Sequence, residues 1–521
     1  MPDKPNMPPK LIAERSVPRH PGNPAELRLP IVAVVVVLIS LFAFYPGFMS
    51  ADSSSQLLQA RNNYYFDWHP AAMAYVWRWL DLIHPGPLLM LLLQLSLLWL
   101  GCIMLFAGNP IVSSNLAYIF IPSCLFIPPV FGNLGVIGKD NLMAGSLLLG
   151  FSLMQRISTR NKKSGTPKFG PVPFSLHIVL LLFCCLFALM LRHNSIAAVY
   201  SLIWYVSFVL LPWPRRLIAR LFATAMTAVP VALSLFLIGH GLNSLIVDKK
   251  TQGWRSVAIF DIAGVAVKRG RLHFDGETKS SGLGGLAKVP AFTVDDLTKN
   301  YTPRNWGNLT RTLFKWGDGT KEELAALSQL WRQTIVGFPL SYLSHRWAVF
   351  SELVGITPNH PRVPVFFFTL SPELAKKTKV NYQLSDLQNW LSVTLNDLAK
   401  NSILYRPYLF LVIGLFTAAC GLFVLRKDMG LVFFFSFSGL GHEALLFIAA
   451  PGADFRFSHW MIISVWGSLL LLIGYAAAWR HLFIPSSDVL SLSFWVRRFG
   501  AVFRRLSKTR VFANGPRKRL D

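Results

Sequence analysis

The stretch "PIVAVVVVLISLFAFYPGFMSADSSSQ" (residues 30–56) decides the fold class. Its first part is an apolar run of about 20 residues, which is long enough for a helix to cross about 30 Å of hydrocarbon. Its second part places Asp52 and several serines directly after that run. Similar apolar runs recur along the chain, so the sequence predicts an all-α polytopic membrane protein, because each span must satisfy its own backbone hydrogen bonds.

The composition agrees with a membrane protein. Of the 521 residues, 53% are hydrophobic and 15% are charged, whereas a soluble domain carries about 25% charged residues. The net charge of +26 could indicate nucleic-acid binding, but most Lys and Arg lie between or beyond the apolar runs, as the positive-inside rule predicts. We therefore expect no nucleic-acid partner. The cysteines lie inside apolar runs and are interpreted as small hydrophobic residues: Cys102, Cys124, Cys184, Cys185 and Cys420.

We predict about ten transmembrane helices. Residues 50–86 form a first outer loop that contains a surface helix, and residues 241–404 form a large outer segment between the seventh and eighth spans. The transmembrane core then covers residues 30–240, with spans 1–7, and residues 405–479, with spans 8–10. The predicted spans are 30–49, 87–107, 112–131, 141–158, 174–191, 196–212, 217–240, 405–425, 430–450 and 459–479.

Both termini are rich in Lys and Arg and are predicted to be cytoplasmic. Residues 1–29 are predicted to be a disordered basic leader, and residues 480–521 a basic tail whose amphipathic helix lies on anionic lipid. The loops after the fourth, sixth and eighth spans are also basic, and the loop after the second span carries no Lys or Arg. The short loops on the other side carry isolated cations. This pattern predicts a multi-pass protein of the bacterial cytoplasmic (inner) membrane.

Ionisable and polar residues gather at the outer ends of the predicted spans. A charge near lipid is costly unless it is paired or hydrated, so each is a candidate site residue. The alternative is ordinary structure: Asp52 and Asp140 would cap helices, and Lys139–Asp140 and Asp454–Arg456 would be structural ion pairs. The candidates are Asp52, Asp67, His69, Lys139, Asp140, Arg192, His193, Asn194, His442, Glu443, Asp454, Arg456 and His459.

These residue types suit one kind of chemistry. A carboxylate such as Asp52 at the water boundary can accept a proton from a hydroxyl or amine. Lys139, Arg192 and Arg456 can hold a phosphate, arginine through two parallel hydrogen bonds. A base and phosphate-binding cations between spans fit a lipid-linked phosphosugar, so we expect Asp52 and these cations to line one outer-facing cavity.

Several short motifs resemble the GT-C superfamily of polytopic membrane glycosyltransferases, which includes aminoarabinose transferases and protein mannosyltransferases. The resemblance implies a polyprenyl-phosphate-linked sugar donor, a lipid, glycan or protein acceptor, and an acid of the first outer loop as catalytic base. By this resemblance Asp52 is the first candidate base and Asp67 a second catalytic acid. Many relatives carry a paired acidic motif where this chain has Ser53. The motifs are "YPGFMSADSSSQ" (45–56), "DWHP" (67–70), "GKD" (138–140), "LRHNS" (191–195) and "FPLSYLSHR" (338–346).

The predicted substrate-binding residues include more than the cations Lys139, Arg192 and Arg456. Asp140, His193, Asn194 and Arg346 are also assigned to the substrate or its phosphate, and Arg346 is alternatively a side chain that extends toward the membrane surface. Asp261 either caps a helix or contacts substrate, and we favour the structural role. No cofactor is required by the sequence.

A divalent metal bound by His69, His459, Asp52 and Asp67 is conceivable but not favoured, because their spacing matches no metal motif.

Two further functions remain open at this stage. A transporter or lipid flippase is the main alternative, and His442–Glu443 supports it because transporters place ionisable residues inside their spans. A non-enzymatic assembly protein that docks through residues 241–404 is the other.

Overall fold

The computed structural model describes residues 24–107, 109, 112–162, 174–211, 216–277, 286–315, 319–423 and 430–483. Most of the predicted leader and of the predicted amphipathic tail lies outside these residues, so both stay predictions. The described chain is helical and contains no strand, only isolated backbone bridges.

The described residues form twenty α-helices, together with short 3-10 turns at His193–Ser195, Ile403–Tyr405 and Phe455–Ser458. In chain order the helices are α1 (Pro24–Phe44), α2 (Ala51–Asn62), α3 (Ala72–Ile83), α4 (Leu88–Ala107), α5 (Ser114–Phe126), α6 (Pro128–Leu134), α7 (Lys139–Lys162), α8 (Phe174–Leu191), α9 (Ile196–Leu210), α10 (Leu217–Ile246), α11 (Trp254–Arg269), α12 (Val294–Asn300), α13 (Gly307–Thr312), α14 (Lys321–Gly337), α15 (Pro339–Val354), α16 (Pro372–Thr378), α17 (Asp386–Asn401), α18 (Pro407–Phe423), α19 (Gly430–Ala449) and α20 (His459–Phe483).

Six described helices are long and apolar enough to cross a membrane, and a bent pair adds a possible seventh. The six are α4, α8, α9, α10, α19 and α20, and the bent pair is α5 with α6, which meet at 64°. That bend follows from Pro128, because the residue before a proline avoids the helical conformation and Ile127, with φ −58° and ψ 131°, is not helical. The predicted count of about ten spans is not confirmed.

The remaining predicted spans are helices that fall short of the same criteria. Apolar stretches cover only Pro30–Phe44 in α1 and Pro407–Phe423 in α18, and 17 residues of helix rise only about 26 Å. Helix α7 begins with Lys139 and Asp140, which lowers its hydropathy although it packs against both α4 and α8.

Three predicted span ends differ from the ends of the helices. Helix α1 begins at Pro24, inside the predicted leader, since proline is tolerated in the first helical turn; it ends at Phe44 rather than at residue 49. Helix α10 continues to Ile246 rather than ending at 240. Its last turns are held because the Asn243 side chain donates to the Met190 carbonyl at 3.0 Å and accepts from the Ala72 amide at 3.2 Å.

Two glycines let α4 and α7 approach backbone to backbone. A Cβ atom at Gly101 would lie 2.8 Å from the amide nitrogen of Leu149, and one at Gly145 would lie 2.8 Å from the Leu97 Cβ and 3.2 Å from the Leu98 nitrogen. Small residues permit close contact between helices in a membrane. This contact fixes α7, whose first residue is Lys139.

The large outer segment has its own core. Helix α11 packs against α14 and α15, and the buried side chains of this core include Phe260, Leu327 and Val349. The same core contains Leu446 and Phe457, which lie in α19 and in the 3-10 turn before α20. The segment is therefore built directly onto the ends of two helices that are long and apolar enough to cross a membrane.

The glycine contact gives a stability prediction. Gly145→Ala should lower the free energy of unfolding by about 1–3 kcal/mol, the usual cost of overpacking, because its Cβ meets α4. Gly241→Ala in α10, where nothing lies within 4 Å of the new Cβ, should be neutral or slightly stabilising. Thermal unfolding in detergent compares the two, and an equal midpoint for both variants would contradict the assigned packing.

Candidate active site

Asp52 is held in the first turn of α2. The hydroxyl of Ser50, the N-cap, accepts from the Ser53 amide at 3.1 Å, and the Ser53 hydroxyl accepts from the Ser50 amide at 3.2 Å. Ser53 also donates to the Ile137 carbonyl. This reciprocal cap fixes α2 beside the segment that leads into α7, so Ser53 has a structural task.

Arg456 binds Asp52 from the other end of the chain. Its Nη2 lies 2.8 Å from Asp52 Oδ2 and 3.6 Å from Asp454 Oδ2. Arg362 also forms an ion pair with Asp454, with its Nε 3.4 Å from Asp454 Oδ1. The Phe455 amide donates to the Arg362 carbonyl at 3.1 Å, so the outer segment is tied to the turn that carries Arg456.

His69 links Asp52 to Lys139. The His69 Nε2 lies 3.4 Å from Asp52 Oδ1, and its Nδ1 contacts the Lys139 ammonium. With its proton on Nε2, toward the carboxylate, the neutral ring satisfies both contacts, because Nδ1 then accepts from Lys139. His69 therefore orients Asp52, and Lys139 contacts the opposite nitrogen of the His69 ring.

Arg192 enters the cluster from the end of α8. It forms an ion pair with Asp140, its Nε donates to Asn194 Oδ1 at 3.1 Å, and its guanidinium lies 4.8 Å from the ring centre of Phe457. His193 points elsewhere, with its ring against His240 of α10. Asp140 and Asn194 thus orient Arg192.

The electrostatics keep Asp52 ionised and His69 neutral. Burial acts to raise the pKa of Asp52, but its hydrogen bond with His69 and the charges of Arg456 and Lys139 hold that pKa well below its usual range. Burial and the neighbouring Lys139 lower the pKa of His69 from 6.5 to about 4. The Asp52 side chain is still 32% exposed, so the carboxylate is reachable from solvent.

The cluster has more cations than carboxylates, which favours an anionic ligand. The cations are Lys139, Arg192, Arg362 and Arg456, and the carboxylates are Asp52, Asp140 and Asp454. The four residues that the sequence assigned to base and phosphate, Asp52, Lys139, Arg192 and Arg456, thus come together from distant parts of the chain.

Asp67 binds the chain that follows α10. Its Oδ1 accepts from the amide of Thr251 and from the Thr251 hydroxyl, the latter at 2.7 Å, and its amide donates to the Lys249 carbonyl at 3.3 Å. These contacts join the first outer loop to the chain after α10. Asp67 therefore positions the loop that carries His69.

His442 and Glu443 of α19 and His459, the first residue of α20, are buried. Glu443 Oε1 accepts from the Ser458 hydroxyl at 2.8 Å, one residue from His459. Within the described ranges, no group of three or more His, Cys, Asp or Glu side chains has the arrangement of a metal site. The possible metal set of His69, His459, Asp52 and Asp67 is therefore not assembled in this structure.

Arg346 and Asp261 form a buried ion pair within the outer segment. The Arg346 Nη2 lies 2.7 Å from Asp261 Oδ2, and both side chains are fully buried. Asp261 also accepts from Trp331 at 2.8 Å and lies 3.0 Å from His345 Nε2. This geometry favours the structural interpretation of Asp261. It leaves Arg346 no solvent-facing group for pyrophosphate or for the membrane surface.

Two features of the site were missed by sequence reasoning. Arg362 lies in an ordinary stretch of the outer segment, and no local signal points to it. Trp68 lies next to His69, with ring centres 6.5 Å apart, and it packs against Trp306 at 5.7 Å. Trp68 belongs to the motif "DWHP" (67–70), and this is the one local signal that could have found it.

Comparisons of the chain with protein-family models, with curated proteins and with solved structures find no match.

The buried ion pair gives a prediction. Asp261→Asn should destabilise the outer segment by about 3–5 kcal/mol, because it leaves the buried Arg346 without its counter-charge. Limited proteolysis of the purified protein in detergent measures the loss as faster cleavage within residues 247–404. Glu373→Gln, which removes an exposed ion pair with Lys377, serves as control and should leave the pattern unchanged. Equal protease resistance of both variants would contradict the assignment.

His69 gives a pH prediction. Its pKa is about 4 in the folded protein against 6.5 ordinarily, so between these values the unfolded chain binds more protons and stability rises with pH. The contribution is complete above pH 6.5 and is lost as the pH falls toward 4. The thermal midpoint should fall more steeply between pH 7 and pH 4.5 in the wild type than in His69→Gln. Parallel curves would show that His69 is not buried as described.

Proposed function

We propose that the protein is an integral-membrane glycosyltransferase that moves a sugar from a polyprenyl-phosphate-linked donor to an acceptor on the outer face of the membrane. Asp52 acts as general base. The acceptor, a lipid, glycan or protein hydroxyl, attacks the anomeric carbon with inversion, and the lipid phosphate leaves. The proton of the acceptor passes to Asp52.

One observation carries the proposal. A partly exposed carboxylate, Asp52, lies among cations that come from four separate segments, and two of these segments, at Arg192 and Arg456, directly adjoin membrane helices. Such a site suits a ligand with its charge at the membrane boundary and its tail in lipid.

The ion pair of Arg456 suggests how Asp52 becomes a competent base. In the free protein Arg456 binds Asp52, which weakens the carboxylate as a proton acceptor. A donor phosphate competes for the same guanidinium, since arginine binds phosphate strongly. Donor binding then frees Asp52 and raises its basicity only when the substrate is present. Arg456, Arg192 and Lys139 stabilise the charge of the departing phosphate.

The surroundings of the cluster fit a sugar. Trp68 and Trp306 lie beside His69, and aromatic faces provide apolar surface at the edge of a polar site. His69 holds Asp52 in orientation, as the second member of a base-and-positioner pair.

The proposed topology follows the sequence. Ten membrane helices are counted when α1, the α5–α6 pair, α7 and α18 join the six long ones, with both termini in the cytoplasm and the site on the outer face of a bacterial inner membrane. The basic inner loops and the less basic outer connections support this orientation. Membrane lipids are then permanent partners, and no nucleic acid is involved.

A transporter or flippase is the second candidate. The buried His442, Glu443 and His459 favour it, because ionisable residues inside membrane helices mark ion or substrate pathways. The cluster around Asp52 is then a binding site on the transport path instead of a reaction centre.

The test is a transfer assay in native membranes with radiolabelled polyprenyl phosphates that carry hexoses or pentoses. Asp52→Asn should reduce transfer of label to acceptor by about 10²–10⁴-fold, the usual contribution of a general base. Glu373→Gln is the matched control for loss of an acidic side chain and should retain full activity.

The outcomes separate the candidates. Full transfer by an Asp52→Asn protein with an unchanged thermal midpoint would exclude Asp52 as the base. Label that accumulates inside sealed vesicles without covalent transfer would replace the enzyme proposal with transport.

A further inference from the structure

The exposed face of α15 carries no charge and is apolar except for Ser344. Leu340 is 80% exposed and Trp347 55% exposed, and Leu343 lies between them on the same face. Val336, at the end of α14, continues this surface with 79% exposure. Large apolar side chains exposed together mark a contact surface.

The neighbouring α14 has the opposite character. Apart from Val336 in its last turn, its exposed residues are polar or small and include Lys321, Glu322, Gln329, Arg332 and Gln333. Two adjacent helices of one segment therefore present different surfaces. The exposed face of α14 suits water, and that of α15 suits an apolar environment.

The apolar face of α15 continues the surface of a membrane helix. α15 packs against α19, with ring centres of Phe350 and Phe447 5.6 Å apart. Beside this contact Ile448, in the last turn of α19, is 56% exposed. Since α19 is long and apolar enough to span the bilayer, its exposed side chains face lipid, and α15 extends that surface sideways.

Cations border the same apolar turn. The guanidinium of Arg269, at the end of α11, lies 3.6 Å from the ring centre of Phe338, between α14 and α15. Arg332 lies one helical turn before Val336 and is exposed. Basic side chains beside an apolar face are typical of helices that lie on anionic lipid.

We propose that the turn between α14 and α15 and the exposed face of α15 are embedded in the leaflet next to the outer segment. Arg269 and Arg332 meet anionic phospholipid headgroups at its edge. This inference does not depend on the reaction catalysed.

The embedded helix is also the support of the candidate site. α15 contacts the 3-10 turn Phe455–Ser458, which carries Arg456, and Arg346 Nη1 donates to the Ala450 carbonyl at 2.8 Å. A lipid contact at α15 therefore sets the height of Arg456 relative to the membrane surface.

The test places a fluorescent probe on each helix. Leu343→Cys and Gln333→Cys, each in full-length protein with Cys420 replaced by alanine, are labelled with bimane and reconstituted into vesicles of phosphatidylethanolamine and phosphatidylglycerol. Brominated phosphatidylcholine should quench the probe at 343 and spare the probe at 333. Aqueous iodide should do the reverse.

Each outcome decides the proposal. Quenching of the 343 probe by iodide to the same extent as the 333 probe would overturn it, since α15 would then face water. Shielding of the 343 probe from both quenchers would also overturn it, because a protein surface, such as a second copy of the chain, would cover the face. Equal thermal midpoints of the labelled variants and the unlabelled protein establish that they are folded.

A separate experiment tests the preference for anionic headgroups. Brominated phosphatidylglycerol should quench the 343 probe more strongly than brominated phosphatidylcholine at equal mole fraction. Arg269→Gln combined with Arg332→Gln should abolish that difference, and a difference that persists would overturn the role of these cations.

Discussion

Charges that leave bulk water need partners, and the pairing of Asp52 with Arg456 meets that need across nearly the whole chain. Asp52 follows the first apolar helix, and Arg456 precedes the last long helix, 404 residues later. Isolated, either charge would be costly at the membrane boundary. Together with Lys139, Arg192 and Asp454 they bring the ends of several membrane helices to one place.

The part of the fold that the sequence predicts best is the part governed by simple periodicity and length. Each predicted span contains a helix. The boundaries were less predictable because they depend on tertiary contacts. Helix α10, for instance, extends to Ile246 since Asn243 finds partners on Met190 and Ala72, which are far away in sequence.

In the candidate site, too, the sequence predicts some residues well, whereas others depend on tertiary contacts. Asp52, Lys139, Arg192 and Arg456 could be selected because charges at span ends are conspicuous in an apolar sequence. Arg346 and Asp67 carry equally conspicuous charges, yet their partners are Asp261 and Thr251. Sequence position alone does not separate a charge that faces solvent from one that holds two segments together, and Arg362 shows that a charge in an unremarked stretch can join the cluster.

The site segments are joined by single backbone bridges rather than by a sheet. Phe48 pairs with Val136, and Arg362 with Asp454, and neither bridge is extended into a ladder. Such junctions lack the cooperativity of repeated pairing, so the segments can open one at a time. A ligand that contacts several cations at once would supply the missing cross-links. Ligand binding at the candidate site would then make these segments behave as one rigid unit.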